Sequence, residues 1–299
     1  MEKMKSILIT GENSYIGNAL SDWIDERYSN DITYTKLSIR TDSWKKENFN
    51  KFQSIVHVSG IAHNSNDKNL KNIYYEVNTD LTIKIARKAK QDGVKHFIFL
   101  SSIIVYNANK EKKIDLNTLP NPSNYYSDSK LKAEEGLLQL QDHNFRVSII
   151  RPPMVYGPNC KGNFSKLSKI SKKTLFFPDI KNSRSMIFIS NLCEFLSQVI
   201  INEVDGFLYP QNEEYVKTSE IVKEIASYHN KKVLFIKTPK ILIFFLSKSK
   251  LYKKIFGDLV YDKKMSSQKI YNYNIFTFKE SIIETEKKKR ESKCKSIVF

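Results

Sequence analysis

Cysteine is scarce in this 299-residue chain, which carries only Cys160, Cys193 and Cys294. An odd number with no metal-ligand spacing argues against a disulfide framework and a metal site, and suits a reducing compartment. The three are expected to be small apolar fillers or free thiols. Long apolar runs are missing too. The longest, ILIFFL at 241–246, falls far short of the roughly 20 residues that a bilayer-spanning helix needs. It reads as the buried face of a C-terminal helix, and no integral membrane segment is expected. The opening MEKMKSILIT runs straight into a strand pattern without an export signal, so a cytoplasmic protein is expected.

Acidic residues are also short, 32 against 49 Lys and Arg, which leaves a formal net charge of +17. That balance raises the question of phosphate-backbone binding. The lysines, however, are spread over the whole chain, and no helix-turn-helix, zinc-finger or aromatic RNA-binding motif appears, so no nucleic-acid partner is expected. Anionic small molecules, or loose attraction to an acidic membrane surface, fit better. The tail EKKKRESKCKSIVF reads as a solvated or disordered end beyond the last element.

The first half alternates strand-like and helical patterns. SILIT (6–10), TKLSI (35–39), SIVHV (54–58), HFIFLSS (96–102) and RVSIIR (146–151) read as buried strands. A helix is expected from about Tyr15, and YYEVNTDLTIKIARKAKQ and SDSKLKAEEGLLQLQ carry apolar residues at helical spacing. Such alternation predicts an α/β fold with a doubly wound parallel sheet, which binds ligands at the carboxyl ends of its strands. The second half is less regular, with short strands near SMIFI (185–189) and VLFI (233–236). The expected division is a dinucleotide-binding domain over 1–160 and, over 161–299, a smaller C-terminal substrate-binding lobe with short returns to the main sheet.

ITGENSYIGNAL joins the first strand to the first helix, with Gly11 and Gly17 six residues apart. The backbone there must turn tightly and then approach a pyrophosphate, while the helix N-terminus presents its amides to negative charge. Gly11, Ser14, Tyr15, Ile16 and Gly17 are therefore candidate cofactor contacts, Ser14 standing where a middle glycine is common. At the end of the second strand an acidic residue would hold ribose hydroxyls and an arginine a 2′-phosphate. LSIR puts Arg40 there, which favours NADP(H) and leaves NAD(H) open through Asp42.

Tyrosine precedes lysine by four residues at Tyr106/Lys110, Tyr126/Lys130 and Tyr228/Lys232, and chance alone yields about two such spacings. Spacing does not choose among them. ITGENSYIG, VHVSGIAH, YYEVNTDLT, FIFLSSIIVY, the Tyr126/Lys130 pair, RPPMVYGPNCKGNF and RSMIFISNL do, because their order resembles that of the extended short-chain dehydrogenases, the NAD-dependent epimerase/dehydratase family with a Rossmann-like fold. The resemblance implies Ser102, Tyr126 and Lys130 as the catalytic set, with Ser102 placed 24 residues before Tyr126. It implies Asn78 behind the lysine, Pro153 beside the cofactor, and Asn163 and Arg184 on the diphosphate of a UDP-linked amino sugar. Lys161 is a weaker candidate in so lysine-rich a chain. A homodimer through the helices after Asn78 and Tyr126 would also suit the family.

A free phenol has a pKa near 10, and a nearby Lys130 ammonium together with an oxidised nicotinamide is expected to lower that of Tyr126. Ser102 would hydrogen-bond the substrate oxygen on which charge develops, and Lys130 the nicotinamide ribose. Dehydratases of the family carry an Asp-Glu pair directly after the Ser/Thr, where this chain has Ile103 and Ile104, so elimination of water is not expected. Two activities remain, a 4-ketoreductase or a 4-epimerase with tightly bound NAD. SYIGNALSDW, RPPMVYGPNCKGNFSKLSKIS, NSRSMIFISNL and IFGDLVY are similar to the capsule and O-antigen branch that makes UDP-N-acetylfucosamine or UDP-N-acetylquinovosamine. That favours reduction of a UDP-2-acetamido-2,6-dideoxy-hexos-4-ulose, and no metal is expected.

Overall fold

A computed structural model describes residues 4–61, 68–107, 111–239, 243, 247–267 and 269–295. ILIFFL, apart from Ile243, lies outside them, as do Lys110 and the side chain of Cys294. The N-terminal half lays down β1 (Lys5–Thr10), α1 (Tyr15–Arg27), β2 (Ile32–Leu37), β3 (Ser54–His57), α2 (Lys71–Tyr74), a π-helical stretch (Tyr75–Asp80), α3 (Leu81–Gln91) and β4 (His96–Leu100). After these come β5 (Lys113–Ile114), α4 (Tyr125–Leu138), β6 (Arg146–Ile150), β7 (Met154–Tyr156), α5 (Asn163–Ser171), β8 (Phe176–Asp179), β9 (Met186–Phe188), α6 (Ile189–Asn202), β10 (Gly206–Leu208), α7 (Thr218–Tyr228) and β11 (Leu234–Lys237). A helix at Lys250–Phe256, strand β12 (Val260–Tyr261) and a final helix at Phe278–Lys295 complete the order.

Six strands form one sheet in the order β10-β6-β4-β3-β1-β2, every neighbouring pair parallel. Burial on both faces explains why these strands read as continuous apolar runs. Successive side chains alternate between faces: Ile7, Ile9, Ile98 and Ile150 meet α1 and α6, whereas Leu8, Phe97, Phe99 and Ile149 meet α3 and α4. The first of these cores continues without a break into Phe164, Ile225 and Ile282 from the second half. α6 and β10 return to the main sheet, while among the described residues β8 pairs only with β11.

Two expectations are corrected. The second strand spans Ile32–Leu37 rather than residues 35–39, because the chain turns off after Leu37, whose carbonyl accepts from Gly11 N at 3.0 Å. The basic tail does not begin beyond the last element, since the last helix runs to Lys295 and takes in Glu286. Glu286 is fully buried and takes Ser168 Oγ at 2.7 Å, His229 Nε2 at 2.9 Å and Lys172 Nζ at 2.5 Å. Three partners from the second half thus hold the start of that basic run inside the protein.

Candidate active site

The order of the sheet reverses between β1 and β3, the place where open α/β sheets form a ligand crevice at their carboxyl ends. Gly11, just past β1, sits at φ +93°, a region costly to side-chain-bearing residues, and a Cβ there would lie 2.5 Å from Ser59 Oγ. A Cβ on Gly17 would lie 2.6 Å from Ser14 Oγ and 3.2 Å from Gly11 O. Ser14 needs no glycine: it is extended and caps α1, its Oγ accepting from Gly17 N at 2.9 Å. Tyr15 and Ile16 begin the helix. The Tyr15 hydroxyl is turned inward, without a hydrogen-bond partner among the described residues, and burial pushes its pKa well above the usual value. The resulting bare cradle at a helix N-terminus fits the pyrophosphate of a dinucleotide. A hollow of about 440 Å³ along α1 is lined by Tyr15 and by the charged side chains of Asp22, Glu26, Arg27 and Glu284, a net acidic border that disfavours phosphate.

Arg40 is exposed three residues beyond β2, and Asp42 faces Lys45 at 2.8 Å. Pro153 is buried in the turn after β6, and its neighbour Pro152 accepts from Ile103 N at 2.9 Å.

The sequence-nominated trio comes together where α4 begins. Asn124 caps that helix, its Oδ1 accepting from Ser127 N at 3.0 Å, and so fixes Tyr126 in the first turn and Lys130 in the second. Ser102, two residues beyond β4, brings its hydroxyl close enough to Tyr126 to act on the phenol. Lys130 is buried; its Nζ donates to the Leu100 carbonyl at 2.9 Å and lies 4.6 Å from the centre of the Phe99 ring. Asn78, fully buried in the π-helical stretch, clamps Ile61: Oδ1 accepts from its N–H at 2.9 Å and Nδ2 donates to its carbonyl at 3.0 Å. Nδ2 also reaches Ser129 Oγ at 3.0 Å, which ties the stretch to α4.

The net effect of the chain's own groups on the Tyr126 phenol is upward. Desolvation pushes its pKa up to about 12, opposed by the Ser102 hydrogen bond. Lys130 Nζ donates to the Leu100 carbonyl, and the expected lowering of the phenol depends on the oxidised nicotinamide as well as on that ammonium. Burial likewise brings Lys130 down to about 8, with Glu134 acting the other way, and holds His57 near 3. Thr82 donates its hydroxyl proton to Asn78 O and so accepts from His57 Nε2, which makes His57 a neutral ring donating from Nε2 and accepting from Thr10 at Nδ1.

A depressed lysine makes the fold and the site pH-dependent. The unfolded chain binds more protons between about 8 and 10.5, so this group's contribution to stability rises with pH across that window, and the cost of burying the charge is complete below it. The charge itself fades above about 8. Dinucleotide affinity measured from pH 6.5 to 9.5 is therefore expected to be level at the acid end and to fall above about 8, and Lys130→Met should remove that dependence.

Sequence reasoning passed over two parts of this site. Gly60 lies at φ +159°, and a Cβ there would sit 3.0 Å from Asn78 Oδ1 and 3.1 Å from Lys130 Nζ. Gly60→Ala should lower kcat/KM about ten- to hundredfold by displacing the ammonium while the protein stays folded, as steady-state kinetics and thermal melts would show. The other part is a buried ion pair. Glu134, one turn beyond Lys130, takes Arg151 Nε at 3.1 Å and Arg151 Nη2 as a second contact, and also accepts from Ser101 Oγ. Arg151 Nη1 donates to Tyr106 Oη at 2.6 Å. The available signal was Glu134 at the i+4 position, on the same helical face as Lys130.

On the substrate side, Asn163 is exposed as the first residue of α5, behind Gly162 at φ +94°. Arg184 is half-buried; its Nη1 donates to Ile255 O at 3.2 Å, and its backbone bridges Val216 and Leu259. Lys161 is exposed. Ile103 is buried and Ile104 half-buried; Ile103 packs with Val105, Tyr106 and Tyr261.

A parallel sheet that bares a glycine cradle at its switch point and aims a Tyr–Lys helix at the same rim defines a dinucleotide-dependent enzyme class. The chain belongs to the NAD dependent epimerase/dehydratase family, whose model matches residues 7–207. It is 31% identical over 280 residues to a UDP-glucose 4-epimerase of Vibrio cholerae, an alignment covering 85% of this chain and 83% of that protein. An N-acetyl-α-D-glucosaminyl-diphospho-ditrans,octacis-undecaprenol 4-epimerase of Escherichia coli O157:H7 is 29% identical over 189 residues, 61% of this chain and 56% of its own length. In fold, the crystal structure of UDP-N-acetylglucosamine 4-epimerase from Bacillus cereus superposes with a TM-score of 0.76 at 15% identity, covering 96% of this chain and 99% of that one. Among the described residues no helix is long and apolar enough to cross a membrane, and no cluster of His, Cys, Asp or Glu could hold a metal ion.

Proposed function

We propose that the protein reduces the 4-keto group of a UDP-2-acetamido-2,6-dideoxy-hexos-4-ulose, with NADPH favoured over NADH, in bacterial surface polysaccharide synthesis. The observation that carries this reading is a protonated phenol beside Ser102 and two aliphatic residues. With its pKa pushed up to about 12, Tyr126 enters the reaction as a proton donor, and Ile103 and Ile104 offer no group for eliminating water. A bound reduced nicotinamide supplies the hydride. Tyr126 gives its proton to the C4 oxygen as that hydride arrives, and Ser102 donates a hydrogen bond to the same oxygen. Gly11, Gly17 and the α1 N-terminus receive the pyrophosphate, Lys130 holds the nicotinamide ribose, Pro153 borders the cofactor, and exposed Arg40 is free to take a 2′-phosphate. Asn163 and Arg184 are assigned to the UDP diphosphate.

One observation favours a second reading, 4-epimerisation with retained NAD: the Vibrio cholerae relative, aligned over most of both chains, is a UDP-glucose 4-epimerase. Purified protein mixed with the 4-keto sugar nucleotide and either NADPH or NADH separates the two. Stoichiometric loss of reduced-nicotinamide absorbance is the result expected of a reductase, and NMR of the sugar then names the C4 epimer. Interconversion of UDP-N-acetylglucosamine and UDP-N-acetylgalactosamine without added cofactor, by protein that carries NAD, would replace the reductase reading.

A further inference from the structure

β8 and β11 form a two-stranded parallel ribbon that pairs with no other strand among the described residues. Its register sets Leu234 beside Phe176 and Ile236 beside Pro178. In a parallel pair, neighbours in register share a face and alternate residues return to it, so Phe176, Pro178, Leu234 and Ile236 stand together on one side. The opposite side is accounted for by Phe177, which packs against Phe235 and Phe256. The first side is not covered: Phe176 is 57% exposed, Leu234 61% and Ile236 50%. A sheet with one wet face normally turns polar residues outward, and contiguous exposed apolar side chains mark an interaction surface.

The rim of this face indicates its partner. Both strands start at the same end, and the turns that enter them carry Lys173, Lys231 and Lys232, all exposed, while Lys237 lies in register with Asp179 on the other side. The segment from His229 to Pro239 contains no acid, and Asp179, the acid at the far end of β8, accepts from Ser219 Oγ at 3.0 Å. We propose that this ribbon is a peripheral docking face for an anionic phospholipid surface, its apolar side chains entering the headgroup boundary and its lysines meeting lipid phosphates. Lysine ammoniums around an apolar patch combine the two attractions that hold a protein at such an interface, apolar burial and a negative surface potential. A second copy of the chain would place like charge against like charge at the same rim.

The test floats full-length protein with vesicles of phosphatidylcholine alone and of phosphatidylcholine mixed with phosphatidylglycerol. Wild-type protein is expected to float with the mixed vesicles, to be released by salt, and to stay behind with phosphatidylcholine alone. Leu234→Glu/Ile236→Glu and, independently, Lys231→Glu/Lys232→Glu should each reduce binding about tenfold or more, with thermal melts unchanged because these side chains point into solvent. Wild-type protein that fails to float with either vesicle, or variants that float as well as wild type, would overturn the proposal. So would sedimentation showing wild-type self-association that Leu234→Glu abolishes, which would assign the face to a second copy.

Discussion

Tyr126→Phe abolishes turnover of the 4-keto sugar nucleotide while leaving dinucleotide affinity near that of wild type. The substitution removes one oxygen, and with it the acid for the C4 oxygen and the partner of Ser102. The ring stays, still packed 6.2 Å from Tyr74, so the start of α4 keeps its shape. Loss of a positioned acid costs about 10²- to 10⁴-fold. The result is read by comparing kcat with the dissociation constant for the dinucleotide: a fall in kcat alone is expected, because Lys130 and the glycine cradle remain. Turnover within tenfold of wild type would remove Tyr126 from its assigned role.

The second large effect is on stability. Glu134→Ala should destabilise the protein by about 3–5 kcal/mol, the range for leaving one partner of a buried ion pair alone. Arg151 would keep its charge in the interior, 4% exposed, with the Tyr106 hydroxyl and the Phe207 ring but no carboxylate among its described contacts. The damage should spread to the site, because Glu134 joins three segments: α4 with Lys130, the end of β4 through Ser101, and the end of β6 through Arg151. Denaturant titration reads the loss. Glu134→Ala/Arg151→Met should recover much of it, since no lone buried charge then remains.

How much of this was legible in the sequence depends on how far apart the interacting residues lie. β1, the glycine turn and α1 are local and were readable: Gly11 needs a positive φ, and the first strand carries its apolar residues on both faces. The position of Tyr126 and Lys130 at the head of α4 was readable from motif order. Gly60 was not singled out, because its constraint comes from side chains on two other elements. Glu134 looks like any helical glutamate until Arg151, which the fold brings beneath it, is seen to occupy both its oxygens. Glu286 misled for the same reason: within a basic run it resembles solvated surface, yet partners on α5 and beyond α7 draw it inside. The motif names the ammonium near Tyr126 but does not show which acceptor that ammonium serves, here the Leu100 carbonyl.

The π-helical stretch at Tyr75–Asp80 behaves as a one-residue insertion that the fold has kept. A π turn holds one more residue than the α turn it replaces, and such turns concentrate at functional sites. Deleting one residue between Tyr75 and Asn78 would return the segment to α geometry and rotate the residues before the deletion by about 100° relative to those after it. Either Asn78 would lose Ile61 and Ser129, or α2 would turn its other side to α4. The stretch therefore acts as a register lock: it allows one continuous helical segment to satisfy two packing surfaces whose phases differ by a residue.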